Sequence, residues 1–264
     1  MTVMTAPAVK YPEFIVALSS EHASALFEEG FVRKNTLEIC PVFQSGLTIR
    51  QRQWLDLADN HARDEQLKPI SGIMKSASCF MRKLRRLCKK IGVPFTTKVG
   101  DNAYRQLLPY VTFRRGNQVL PYLRGPGVGE NRLAGNASVG WGGHIDIIDL
   151  VFGTNSVIDV LATVMKNIKR ELSEEMRCFK LDDQAGDINL LEAGELVFHG
   201  FINDNSNEVG RLHLGLAFDF IMKDGYDATA REEELRILPW QTKEELRAMP
   251  GVTLESWTDL RLAA

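Results

Sequence analysis

The stretch Val157–Met176 constrains this chain more than any other. Val157, Leu161, Val164, Ile168 and Leu172 recur at three- and four-residue steps, which predicts a helix with one apolar stripe. Asn155 or Ser156 is placed to cap its start. The helix closes on Arg170-Glu171-Leu172-Ser173-Glu174-Glu175, so Glu171, Glu174 and Glu175 share a face within about one turn. Like charges at this spacing repel, and the helix dipole disfavours anions at the C-terminal end. A sequence that accepts both penalties invites a cation, and hard carboxylate oxygens suit Mg²⁺ or Mn²⁺. On the triplet alone, the competing reading is a solvated acidic face paired with Lys169, Arg170 or Arg177.

Upstream lies Gly140-Trp141-Gly142-Gly143-His144-Ile145-Asp146. Paired glycines permit close backbone approach, so a carbonyl here can reach a metal held by the helix. Together the two segments resemble the Nudix hydrolase superfamily, whose box reads G-x5-E-x7-R-E-U-x-E-E-x-G-U, with U a bulky apolar residue. Gly143 matches the first glycine, the run from Arg170 to Glu175 matches R-E-U-x-E-E, and Cys178 matches the last U. The chain departs from the box in three ways. Asp149 replaces the first glutamate, about a dozen residues are inserted before Arg170, and Arg177 replaces the late glycine.

The resemblance extends to a bacterial branch of that superfamily described only as phosphoesterases. Arg105-Gln106-Leu107-Leu108-Pro109-Tyr110, the glycine segment, and Asn203-Asp204 through Val209-Gly210-Arg211-Leu212-His213-Leu214-Gly215 carry it. Glu13–Leu18 resembles the first strand of that branch, and Leu254-Glu255-Ser256-Trp257 the segment that closes the Nudix domain. The resemblance implies an α/β fold, a Nudix-type α/β/α sandwich with a mixed central sheet.

It also implies metal-dependent hydrolysis of the diphosphate bond in a nucleoside diphosphate linked to another group. Glu171, Glu174 and Glu175 would be metal ligands, with Glu171 alternatively orienting the water, and the Gly142 carbonyl would complete the set. Arg170 would hold the glutamates in place. Asp149 is a weaker candidate, and Glu192, Glu195, Glu208 and Asp219 are the choices for a further acid outside the box. His144 and His213 are read as hydrogen-bonded structural histidines or as substrate contacts, and Trp141 as packing or base stacking. The alternative is a Nudix-fold module that has lost catalysis and binds a nucleotide or RNA.

The rest of the chain reads as one domain with a mostly helical insertion from about residue 38 to 95. Arg50–Ala62 is read as helical. In Ile73–Ile91 one face is apolar, while the other carries Lys75, Arg82, Lys83, Arg85, Arg86, Lys89 and Lys90. That face is solvated, attracts a polyanion such as RNA, or lies on a membrane surface. Leu107–Arg114 and Val119–Arg124 flank a hairpin turn, Val139–Ile145 reads as extended, and Glu195–Ile202 and Arg211–Met222 are strands. Thr242–Met249 is a short helix.

Composition excludes disorder, since 44% of residues are hydrophobic and the net charge is only −2. That small charge conceals +8 over residues 1–169 and −10 over residues 170–264. No apolar run suits a membrane span, Met1–Lys10 lacks the pattern of a secretion signal, and Cys40, Cys79, Cys88 and Cys178 form no pair. A cytoplasmic protein is expected, and the resemblance allows a homodimer.

Overall fold

The computed structural model describes residues 14–33, 47–51, 86, 89, 95–96, 104–125, 135–153, 158–231 and 235–263. The first half contains β1 (Phe14–Ser19), α1 (Ser20–Leu26), β2 (Gly30–Arg33), β3 (Leu47–Gln51), β4 (Phe95–Thr96), β5 (Tyr104–Arg115), β6 (Gln118–Val119), β7 (Tyr122–Arg124) and β8 (Asn136–Ser138). Then come α2 (Val160–Glu175), β9 (Met176–Lys180), β10 (Asp183–Ile188), α3 (Leu190–Ala193), β11 (Gly194–Asn203), α4 (Glu208–Leu212) and β12 (His213–Met222). The chain ends with β13 (Tyr226–Ala230), β14 (Leu235–Ile237), β15 (Gln241–Thr242), α5 (Lys243–Arg247), β16 (Thr253–Leu254) and α6 (Ser256–Ala263).

The described strands build a mixed central sheet in the order β2-β11-β12-β5-β1-β3-β4. Its middle pair, β5 and β12, is parallel, and β11 and β1 flank it antiparallel. β5 is buried along most of its length, which is why Leu107–Phe113 reads as a nearly continuous apolar run. Alternation along the central strands divides the core. Leu107, Val111, Phe113, Leu216, Phe218 and Phe220 face one side, where Val164, Ile168 and Leu172 of α2 cover them. Tyr110 and Ala217 face the other, where Trp257 and Leu262 of α6 lie. This is the expected α/β/α layering. Two smaller sheets, β10-β9-β13 and β14-β7-β8-β16, complete the described structure.

Several sequence readings shift. Leu161, expected in the stripe of α2, is 53% exposed, whereas Val160, Thr163 and Asn167 are buried. The cap of α2 is Asp159, whose side chain accepts from the Ala162 amide, while Asn155 and Ser156 lie outside the described residues. Arg50 and Gln51 belong to β3, not to a helix, and β3 pairs with β1 in the central sheet. Arg86 and Lys89 are helical and exposed, whereas Arg82, Lys83, Arg85 and Lys90 lie outside the described residues. At Arg177, where the box has glycine, the chain needs no turn. Met176 is already extended at φ −121 and β9 begins at once. Among the described residues no helix is long and apolar enough to cross a membrane.

Candidate active site

The glycine segment is held as part of the central sheet. β1 and β5 pair from Ala17/Gln106 to Ser19/Tyr104, and beyond that the segment bonds to both. The Val16 amide donates to the Ile145 carbonyl at 2.9 Å, and the Ile145 amide to the Leu107 carbonyl at 3.4 Å. Trp141 and Val111 exchange two bonds, each of 2.9 Å. Between these anchors Gly142-Gly143-His144 runs opposite Pro109, which has no N–H to donate. Gly142 has φ +126, and a Cβ there would fall 2.6 Å from the Pro109 carbonyl oxygen. Only glycine fits that position without strain.

Helix α2 crosses this segment with its last two turns. Glu171 lies against Gly143 so closely that a Cβ on Gly143 would fall 2.5 Å from Glu171 Oε2. Glu175 Oε2 accepts the Gly142 amide at 3.0 Å. Both glycines of the pair therefore meet a glutamate of the helix. Burial pushes the Glu171 carboxyl above its ordinary range, and Arg170 only partly offsets this. Glu174 is the outlying member, with its side chain 58% exposed.

Arg170 ties the group together. Its Nη2 lies 2.8 Å from Glu171 Oε1 and its Nη1 3.5 Å from Glu174 Oε2. Its main partner is Asp149, at the end of the 3-10 turn Ile147–Asp149. Nε donates to Oδ1 at 2.9 Å and Nη2 to Oδ2 at 2.7 Å, a two-point ion pair. Asp149 Oδ2 also accepts from the Asp146 amide and from Asn167 Nδ2. Burial opposes ionisation of Asp149, but hydrogen bonds from Arg170, Asn167 and the Asp146 amide outweigh it and hold the carboxyl below its usual range. Asp149 is thus an anchor for Arg170 rather than an open ligand.

Sequence reasoning missed Asn167. Its Nδ2 spans the Asp149 carboxylate and the His144 carbonyl, joining α2 to the loop from inside. A polar residue three positions before Arg170 on the buried side of the helix was the available signal. His144 and His213 meet through their Nε2 atoms at 3.0 Å. The Val209 carbonyl lies 2.7 Å from His213 Nδ1 and accepts from it. With His213 neutral, its Nε2 then accepts, so His144 donates through Nε2. Trp141 is packing, 1% exposed between Phe113 and Tyr122.

Other candidates lie apart. Asp219 is engaged by Arg114, His199 and Arg261, and Glu192 lies by Lys180 and Tyr226. Cys178 is a free buried thiol whose pKa burial pushes up to about 12, which disfavours the reactive thiolate. Among the described residues no three His, Cys, Asp or Glu side chains are grouped as metal ligands.

No family model matches the chain. Protein YmaB of Bacillus subtilis (strain 168) is 34% identical over 159 residues, 60% of this chain and 69% of that protein. Tm1382, a solved structure whose assignment as a Nudix hydrolase is provisional, superposes with a TM-score of 0.56 at 22% identity, covering 95% of this chain and 97% of its own. A NUDIX family hydrolase from Clostridium perfringens aligns over 60% of this chain and 94% of its own at 14% identity, with a TM-score of only 0.31. The chain belongs to the family of Protein YmaB, and its fold is that of the Nudix proteins.

Proposed function

We propose that the chain is a hydrolase of phosphate anhydrides that uses a divalent cation, Mg²⁺ or Mn²⁺, to cleave the diphosphate bond of a nucleoside diphosphate linked to another group. The observation that carries this reading is the cradle at Gly143, where the absence of a Cβ admits the Glu171 carboxylate. A half-buried carboxylate with a raised pKa, lying on a glycine pair beside two further glutamates, is a set of hard oxygen donors. Carboxylate and carbonyl oxygens are the donor types such an ion takes. Glu171, Glu174 and Glu175 would hold it together with the Gly142 carbonyl, and it would supply charge neutralisation and an activated water. Arg170 keeps Glu171 and Glu174 together, and Asp149 and Asn167 keep Arg170 and the loop in register. The substitution of Asp149 for glutamate keeps a carboxylate as the anchor of Arg170, which weighs against the reading of a module that has lost catalysis.

The test is formation of a nucleoside monophosphate together with the phosphorylated partner, or pyrophosphate, followed by chromatography after incubation of nucleotide sugars, dinucleotides, NADH, nucleoside triphosphates and 5′-capped RNA with Mg²⁺. The wild type is compared with a Glu174→Gln/Glu175→Gln variant. Loss of turnover in the variant is expected, and turnover that survives overturns the assignment of the metal ligands. No turnover on any substrate, with tight nucleotide binding, would favour the binding module. The exposed, helical Arg86 and Lys89 support a second reading for the basic stretch, contact with RNA. A cytoplasmic location and a homodimer remain proposals of the same kind.

A further inference from the structure

On the sheet face opposite α2, three basic side chains converge on one carboxylate. Alternation along β12 sends Phe218 and Phe220 beneath α2 and Ala217 and Asp219 to the α6 side. Asp219 is 3% exposed. Its Oδ1 accepts Nη2 of Arg261, from α6, at 2.6 Å. Its Oδ2 lies 2.7 Å from Nε of Arg114, from β5, and 3.0 Å from Nε2 of His199, from β11. Thr112, its register partner on β5, faces the same side.

The donors around Asp219 exceed what one carboxylate satisfies. Arg261 is 2% exposed, yet its Nε has no hydrogen-bond partner, and neither has the buried Thr112 hydroxyl. Arg114 Nε touches the carboxylate without hydrogen-bond alignment. The charges do not balance either. At the carboxylate itself two guanidinium groups, Arg114 and Arg261, face the single anion Asp219. Burial, helped by Arg261, Arg114 and Arg33, lowers the His199 pKa despite Asp219. Burial likewise lowers that of Arg261. A water molecule could satisfy an N–H or a hydroxyl, but it leaves the excess charge in place. An oxyanion answers both demands.

We propose that Arg114, His199 and Arg261 form a binding site for a small phosphate-type oxyanion, separate from the glutamate site on α2. Arg114 and His199, whose side chains are 24% and 27% exposed, give the opening. Arg261 and Thr112 form its floor. The site does not depend on the hydrolase reading, because its residues lie on the other face of the sheet.

The test is calorimetric titration of the full chain with inorganic phosphate at low ionic strength, with EDTA present so that no divalent ion bridges phosphate to the glutamates. Phosphate is expected to bind and to raise the unfolding midpoint. Arg114→Gln and His199→Gln, read separately in case one fails to fold, should each weaken binding about 10-fold or more, the effect of losing a hydrogen bond to a charged group. Glu174→Gln/Glu175→Gln should leave it unchanged. An equal response to chloride at matched ionic strength, no binding at millimolar phosphate, or binding lost only in the glutamate variant would each overturn the proposal.

Discussion

Asp149 and Arg170 are joined at two points, Nε to Oδ1 at 2.9 Å and Nη2 to Oδ2 at 2.7 Å, with the carboxylate side chain only 1% exposed. Asp149→Asn removes the two-point counter-charge and leaves the guanidinium paired only with Glu171 and Glu174. It should cost about 2 kcal/mol in urea unfolding at neutral pH, less than for a fully enclosed pair because Arg170 is partly exposed. The folded-state pKa of Asp149 is lowered, so its contribution is complete above the unfolded value of about 3.9 and is lost as pH falls through the folded value. The gap between wild type and variant should therefore close in acid. A gap that does not narrow as the pH falls below about 3.9 would assign the effect to packing instead of charge.

Gly143→Ala tests the cradle. A Cβ at 2.5 Å from Oε2 must displace Glu171, and the bond to Arg170 resists that movement. Turnover should fall about 100-fold, since a displacement near 1 Å at a reacting centre costs that much. Circular dichroism should show an intact fold. Full activity in the variant would remove Glu171 from the chemistry.

Mg²⁺ should stabilise the free protein. At about 100 times its Kd, a ligand specific for the folded state adds about 2.7 kcal/mol. Thermal unfolding should register this in the wild type and show little in Glu174→Gln/Glu175→Gln. An equal shift in both proteins would place the ion elsewhere.

Glutamine at Arg82, Arg85, Arg86 and Lys89 should weaken any affinity for single-stranded RNA and flatten its salt dependence. The slope should drop by about 0.7 for each phosphate that is no longer neutralised. An unchanged slope would exclude this surface as the RNA-binding face.

The glutamate helix and its glycine partner were legible because their chemistry is local. Arg170, Glu171, Glu174 and Glu175 lie within about one and a half turns, and Gly142-Gly143 is a visible break in side-chain bulk. The rotation of α2 was not legible from hydrophobicity. Thr163 and Asn167 are polar but buried, because the Thr163 hydroxyl accepts the Val151 amide and Asn167 donates to Asp149 and His144. Counting apolar residues therefore drew the stripe through Leu161. Strand β3 was hidden for another reason. Leu47–Gln51 is specified by pairing with the distant β1, and Arg50 and Gln51 carry no apolar alternation. The partnership of Asp149 with Arg170 spans a dozen inserted residues, so spacing suggested the position but not the bond.

The seating of the glycine segment limits how the proposed catalysis could be controlled. Val16, Leu107 and Val111 hold the two ends of that segment through main-chain bonds, so a swing of the loop would split the seam between the first strand and the central one. A hinged lid is thus an implausible role for it, and any opening and closing around substrate must come from other parts of the chain. The loop is masonry: it bears on the sheet at both ends, and its accuracy is inherited from the sheet's own rigidity.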